Sequence, residues 1–152
     1  MFHAIDDEEI IRELFEIFIS EVGYDVLCFS SGNQYLEYLD SPDYQKPIAV
    51  LSDVTMPGIN GYDLALKIRE KLPLQKIVLI SGNADAEHHR RASSQLCYTL
   101  DKPFTPEQLM DMIKALVACE EAHRSGDKVE FFKQCEFGLD HNCPFHESNR
   151  IK

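Results

Sequence analysis

Residues 48–58 constrain the fold more than any other part of this 152-residue sequence. A nearly continuous apolar run leads to one carboxylate, Asp53, and a Met-Pro-Gly turn then stops the strand and redirects the chain. Such a run, closed by Pro and Gly, predicts a fully buried strand of a parallel sheet, whose carboxyl end is where open α/β sheets place their ligand sites. A lone Asp at this place could also cap the following turn. The choice between these interpretations depends on the other strand ends.

Three other short apolar segments also end in polar side chains. Asp6 and Asp7 follow residues 1–5, Ser81 follows residues 76–80, and Lys102, with Pro103 and Phe104, follows residues 97–100. If the four strands are parallel, their carboxyl ends meet at one edge, where three carboxylates, a hydroxyl and an ammonium group share a cleft. Clustered carboxylates repel one another, so such a group either raises its pKa values or recruits a hard divalent cation such as Mg²⁺.

Apolar residues at helical spacing fill the segments between the predicted strands. The predicted helices cover residues 8–22, 33–39, 62–72, 87–94 and 105–117, and one further strand covers residues 24–29. Thr105, with Gln108 three residues later, has the pattern of a capping box at the start of the fifth helix. Five strands alternating with five helices predict a doubly wound α/β fold with a parallel sheet, because right-handed crossovers must cover both faces.

Composition predicts a single domain. Hydrophobic residues make up 44% of the chain and aromatic residues 10%, which is sufficient for one ordinary core. The pattern changes at residues 124–127, so we expect one domain at residues 1–123 and a tail at residues 124–152 that is too short to be a separate output domain. The five cysteines are odd in number and irregularly spaced, which argues for reduced thiols rather than a disulfide framework.

Charge and hydropathy exclude two classes of partner. The formal net charge of −11 argues against nucleic acid, because duplex binding draws most of its affinity from Lys and Arg. No apolar stretch approaches the roughly 18 residues that a spanning helix needs. A predicted strand starting at Met1 leaves no room for a signal peptide, so we expect a cytoplasmic protein with no membrane partner.

The order of these parts resembles the receiver domain of bacterial two-component response regulators, over about residues 1 to 123. The resemblance rests on a combination of the acidic pair, the nine residues from Asp53 to Gly61, Ser81-Gly82 and Lys102-Pro103-Phe104. It implies a five-stranded sheet with the flavodoxin-like order 2-1-3-4-5 and helices on both faces.

The resemblance also implies roles for individual residues. Asp53 would accept a phosphoryl group from a histidine kinase or a phosphotransfer protein, and Lys102 and Ser81 would contact the phosphoryl oxygens. Mg²⁺ would be held by Asp6, Asp7, Asp53 and the backbone carbonyl of Thr55, directly or through water. Since such a protein changes conformation and later loses its phosphate to water, it is expected to be a switch and not a turnover enzyme. The signal would pass to a partner protein through the fourth helix, fifth strand and fifth helix, and a homodimer is left open.

Three departures from the family pattern bear on this expectation. Receivers usually carry an aromatic residue three positions before the Lys, whereas here Thr99 holds that place and Tyr98 lies one earlier. Side chains alternate along a strand, so Tyr98 is expected to point away unless a bulge restores it. His3 interrupts a strand that is normally all apolar, so we expect that strand to be short or frayed. Residues 94–96 replace the usual small-residue break before the fifth strand.

Two other functions remain open at the level of sequence. One is a receiver-like scaffold that binds partners regardless of phosphate. The other is a Mg²⁺-dependent phosphatase, but that class needs a second Asp two residues after the nucleophile, where Thr55 stands.

The tail carries a separate candidate site. Two thiols and two imidazoles, which are sufficient ligands for tetrahedral zinc, come from Cys135, His141, Cys143 and His146. The separation of the two cysteines is longer than the usual knuckle, so we favour docking of the tail on the receiver or on a partner. The apolar surface for docking would come from Phe131, Phe132, Phe137 and Phe145.

Overall fold

The computed structural model of the protein describes residues 1–82 and 98–125. Its strands are β1 (Phe2–Ile5), β2 (Val26–Phe29), β3 (Ala49–Asp53), β4 (Lys76–Ser81) and β5 (Tyr98–Asp101). Its helices are α1 (Glu9–Glu21), α2 (Gly32–Leu39), α3 (Gly61–Lys71) and α4 (Pro106–Ser125). Helix α4 is the fifth helix of the predicted order, because the predicted fourth helix at residues 87–94 lies outside the described residues, as does the tail beyond Ser125.

All strand pairs are parallel, and the strand order is β2-β1-β3-β4-β5. The predicted doubly wound α/β fold and its order 2-1-3-4-5 are therefore confirmed. Strand side chains alternate between two apolar layers: Val50 packs with α2 and α3, whereas the next residue, Leu51, packs with α1 and α4. Because each central strand is covered on both faces, it is apolar at nearly every position. Each fully buried aliphatic side chain contributes about 1.5–3 kcal/mol to folding.

Strand β1 is short, with four residues, but it is buried along its whole length and paired on both sides. His3 fits into it because Nδ1 lies 2.9 Å from the hydroxyl of Tyr35. Edge-to-face contacts with Phe29, Tyr38 and Tyr44 surround the imidazole, with ring centroids 5.4–6.0 Å away. The expectation of a frayed strand is therefore wrong, since a polar partner from α2 lets the ring be buried in the neutral form.

Two local features hold helix ends next to the carboxyl edge of the sheet. Thr105 and Gln108 form the predicted capping box, in which Thr105 Oγ1 accepts the Gln108 N–H at 3.1 Å and Gln108 Oε1 accepts the Thr105 N–H at 2.9 Å. At the start of α3, a Cβ on Gly61 would lie 2.4 Å from the carbonyl oxygen of Asp53. Only glycine therefore allows α3 to begin in direct contact with the end of β3.

At the opposite edge of the sheet, the buried Lys76 at the start of β4 pairs with Glu120 of α4, with Nζ 2.5 Å from Oε2. Among the described residues, no helix has the length and apolarity needed to cross a bilayer.

Candidate functional site

The polar residues singled out at the four strand ends meet at one edge of the sheet. Lys102 Nζ lies 3.1 Å from Asp6 Oδ2 and 3.4 Å from Asp53 Oδ1. Oxygen atoms of Asp6, Asp7 and Asp53 all lie within 4.8 Å of one another. The cluster forms because β1, β3 and β5 run in the same direction, so their last residues share one edge.

Asp6 is completely buried, and each of its polar groups has a partner. Its N–H donates to the carbonyl of Phe29, and its Oδ1 accepts the N–H of Glu8 at 2.9 Å. The second carboxylate oxygen faces Lys102, and its backbone carbonyl accepts Arg12 Nη1 at 2.7 Å. Asp6 is thus fixed in backbone and side chain before any ligand binds.

Asp53 is also buried, with 5% of its surface exposed. Burial and, second, the negative charge of Asp6 raise the pKa of its carboxyl to about 6, against the opposing attraction of Lys102. Burial acts against the charge on Lys102, but Asp6 and Asp53 outweigh it and raise the pKa of the ammonium group. The ammonium therefore stays charged and partly compensates three carboxylates that would otherwise repel one another.

Thr55 comes two residues after Asp53, and Ser81 ends the strand next to β3. The turn containing Thr55 is held by its neighbour Val54, whose N–H donates to Ile80 and whose carbonyl accepts the N–H of Gly61. The buried Ser81 ends β4 one residue beyond Ile80, the register partner of Asp53. Its carbonyl accepts the N–H of Lys102 at 2.8 Å, which joins the ends of β4 and β5. The Lys102–Pro103 peptide bond is cis.

The register of β5 shows on which layer of the fold positions 98 and 99 lie. Strand β5 pairs with β4 without a bulge at residues 98–101, so Thr99 lies opposite Leu79 and position 98 opposite Val78. Leu79 belongs to the layer of α2 and α3, whereas Val78 belongs to the layer of α1 and α4. The bulge that would have moved position 98 to the place of Thr99 is therefore absent from this strand.

Arg12 was not singled out by sequence, although it contacts the acidic edge. Its position one turn into α1 gives no indication that its guanidinium reaches back to the end of β1. The only available signal was an Arg six residues after Asp6, in an otherwise acidic helix.

The donor set suits a hard divalent cation. Three carboxylates offer oxygen ligands, and two opposite ligands of Mg²⁺ lie about 4.2 Å apart, since each bond is about 2.1 Å. Adjacent ligands lie about 3.0 Å apart in the same octahedral geometry, so oxygen atoms within 4.8 Å of one another meet it by moving closer or through a bridging water. The residues therefore fit Mg²⁺.

Comparison with known proteins identifies the class. The family model "Response regulator receiver domain" matches residues 2–114. The chain belongs to this family, and it is thus a receiver domain of two-component response regulators.

Relatives and solved structures agree with this assignment. The DNA-binding transcriptional regulator NtrC of Klebsiella pneumoniae is 26% identical over 115 residues, which are 75% of this chain and 24% of that protein. The chain spans about a quarter of the length of such curated relatives. A CheY-like receiver from Methanospirillum hungatei, at 21% identity, shares the fold with a TM-score of 0.72, covering 80% of this chain and 96% of the other. Response regulator TrrA of Thermotoga maritima, solved in complex with Mg²⁺–BeF, is 30% identical with a TM-score of 0.66, covering 76% and 96%.

Proposed function

We propose that this chain is a phosphorylation-dependent receiver in which Asp53 accepts a phosphoryl group from the phosphohistidine of a sensor histidine kinase or a phosphotransfer protein. The observation that supports this most strongly is the placement of Asp53. It is a buried carboxylate at a strand end, with an ammonium group 3.4 Å away and two further carboxylates beside it. Such a group combines a nucleophile with the positive charge that phosphoryl transfer requires.

In the proposed reaction, a carboxylate oxygen of Asp53 attacks phosphorus in line with the P–N bond of the donor. A P–O bond forms, the P–N bond breaks, and the imidazole leaves with the bonding electron pair. Lys102 lies close enough to Asp53 to neutralise one phosphoryl oxygen, and Ser81 donates its hydroxyl to another. The product is an acyl phosphate that water later hydrolyses, so the protein acts as a switch and not as a turnover enzyme.

Asp6, Asp7, Asp53 and the backbone carbonyl of Thr55 would hold Mg²⁺ in this site. The ion, when bound, supplies positive charge across the phosphoryl oxygens. The residues of the chain bring the nucleophile and its neutralising groups to one place, and burial limits the access of water to Asp53.

The proposal extends to the molecule around the site. Residues 1–123 would form the receiver and residues 124–152 a tail, in a cytoplasmic protein. The conformational signal would pass to a partner protein through the predicted fourth helix, β5 and α4. Alternatively, the same change would lead two copies of the chain to form a homodimer.

Incubation with acetyl phosphate and Mg²⁺, followed by intact mass measurement, tests the proposal. We expect one added phosphoryl group, sensitive to hydroxylamine as an acyl phosphate should be. The Asp53→Asn variant should gain none, and an unchanged level of phosphate in this variant would refute the assignment of Asp53. If the wild-type protein gains no phosphate from acetyl phosphate or from any histidine kinase, the phosphate-independent scaffold takes the place of this proposal.

Metal binding is tested separately. We expect weak Mg²⁺ binding without phosphate, because Mg²⁺ keeps several waters and is held by few protein ligands. Titration of Asp7→Asn should show weaker binding than wild type, with Asp43→Asn, a change in an exposed acid outside the cluster, as the matched control. Equal affinity in Asp7→Asn would remove Asp7 from the site.

A further inference from the structure

Arg12 makes one contact that bears directly on the acidic edge. It lies on the first turns of α1 and is half-buried, and its Nη1 donates to the backbone carbonyl of Asp6 at 2.7 Å. Its own carbonyl accepts the thiol of Cys28 at 3.8 Å, which joins this part of α1 to β2. The backbone of Arg12 is therefore joined to β2, and its guanidinium reaches the β1–α1 turn.

The carbonyl that Arg12 holds belongs to the peptide group between Asp6 and Asp7. A peptide group is planar, so fixing its oxygen fixes the direction in which the chain leaves Asp6 and enters Asp7. The side chain of Asp6 is already fixed by the N–H of Glu8 and by Lys102, whereas the exposed Asp7 depends on the backbone for its placement. Arg12 thereby sets the position of one carboxylate relative to the other.

We infer that Arg12 is a positioning residue that holds the two carboxylates in a geometry suited to Mg²⁺ and thereby makes the site select Mg²⁺ over Ca²⁺. This inference rests on the proposed function, since it assumes that the acidic cluster binds a divalent cation. Mg²⁺ demands nearly ideal octahedral geometry at 2.0–2.1 Å, whereas Ca²⁺ accepts irregular sets of six to eight oxygens. Loosening the peptide between the carboxylates should therefore cost Mg²⁺ more than Ca²⁺.

A purely electrostatic role for Arg12 predicts the opposite change in cation affinity when Arg12 is removed. A guanidinium close to an acidic cluster repels any incoming cation, so its removal would tighten the binding of both ions. Positioning and charge thus compete, and the direction of the change shows which of them dominates. Partners that orient metal ligands typically contribute 10- to 100-fold in affinity, so we expect positioning to prevail.

Four proteins separate these roles: wild type, Arg12→Met, Arg12→Lys and Arg69→Met. Arg12→Lys keeps the charge but replaces the planar donor fork with a rotating ammonium group. Arg69 is the matched control, because its Nη1 also donates to a backbone carbonyl, that of Pro73 at 2.8 Å, in a turn far from the acidic edge. Circular dichroism and urea unfolding establish that each variant is folded, and Arg12→Lys remains informative if Arg12→Met does not fold.

The measurement is a calorimetric titration of each protein with Mg²⁺ and, separately, with Ca²⁺. We expect Arg12→Met to bind Mg²⁺ about ten-fold more weakly than wild type, Ca²⁺ to change less, and Arg12→Lys to fall between. Arg69→Met should bind both ions as wild type does. Tighter binding of both ions by Arg12→Met, or equal losses for the two ions, overturns the inference.

The failure of the proposed metal site can be told apart from the failure of this inference. A wild-type protein that binds neither ion removes the site and the inference with it. If wild type and Arg12→Met bind Mg²⁺ with equal affinity, the metal site remains in place and Arg12 has no role in it.

Discussion

Asp53 is the residue at which folding and the proposed function conflict. A buried carboxylate beside another carboxylate costs stability, which is why its pKa is raised to about 6 from an ordinary value of 3.8. The folded state then holds its proton more tightly than the unfolded state between these two pH values. Above about pH 6 the ionised group destabilises the fold, and below about pH 4 the cost is gone.

The Asp53→Asn variant should therefore be more stable than wild type in metal-free protein at pH 7, by about 1 to 3 kcal/mol. The gain should shrink as the pH falls from 6 to 4, because wild-type Asp53 then becomes neutral as well. Urea unfolding with EDTA at several pH values measures it, and Asp43→Asn, in an exposed acid, serves as the control. A variant that is less stable than wild type at pH 7 would contradict this account of the site.

His3 makes the folding stability depend on pH in the direction opposite to that of Asp53. Burial first, and the N-terminal ammonium second, lower the pKa of His3 from 6.5 to about 4, so the unfolded chain binds this proton more readily than the folded one. Stability should fall as the pH drops from about 6.5 to about 4, by as much as about 3 kcal/mol from this group. His3→Phe should remove that part of the pH dependence when the two unfolding profiles are compared. Parallel profiles for the two proteins would show that the pKa of His3 is the same in the folded and unfolded states.

At the scale of secondary structure, the contact between α3 and the end of β3 determines where Asp53 lies. In Gly61→Ala the new methyl group would lie 2.4 Å from the carbonyl oxygen of Asp53 and 2.9 Å from Cα of Val54. Because both are backbone atoms, the helix or the strand end has to move, at a cost of about 1–3 kcal/mol.

We therefore expect Gly61→Ala to lose stability and to accept phosphate from acetyl phosphate at least about ten-fold more slowly, since small displacements of a reacting group are costly. Gly82→Ala is the matched control, because its Cβ would meet only ordinary contact, 3.8 Å from Cβ of Lys102. Equal rates in the two variants would mean that the end of β3 tolerates the shift of α3.

The elements themselves were accessible from the sequence, because their signals are local. The apolar run before Asp53 indicated a strand, and Thr105 with Gln108 indicated a helix start. The convergence of Asp6, Asp53 and Lys102 also followed, since parallel strands bring their ends to one edge. Hydrogen bonds that depend on how α1 and α2 lie on the sheet were not accessible. Arg12 to Asp6 and His3 to Tyr35 are such cases, and the second joins residues 32 positions apart.

The start of strand β2 also could not be predicted from the sequence alone. Residues 24–29 have strand composition throughout, but the strand begins only at Val26. Its start is set by the length of β1, whose Phe2 is the register partner of Val26. Because β2 is an edge strand that pairs with β1 alone, it extends only as far as β1 offers partners, and composition does not report this.

At the scale of the whole molecule, the four cysteine and histidine residues of the tail remain an open candidate for zinc. We expect protein purified without chelator to contain no stoichiometric zinc, because the spacing from Cys135 to Cys143 exceeds that of common zinc knuckles. Metal analysis of wild type beside the Cys135→Ser/Cys143→Ser variant decides this. Near-stoichiometric zinc in wild type that vanishes in the variant would replace docking of the tail with metal binding.

Helix α4 begins beside the acidic edge and ends at the opposite edge, where Lys76 pairs with Glu120. Its 20 residues span about 30 Å at 1.5 Å per residue. A fully extended chain covers at most about 3.5 Å per residue, so the tail needs at least about nine residues to return to Asp53. The end of α4 at Ser125 is thus a fixed point at the far edge of the sheet, and any contact between the following chain and Asp53 requires a connecting segment of at least about nine residues.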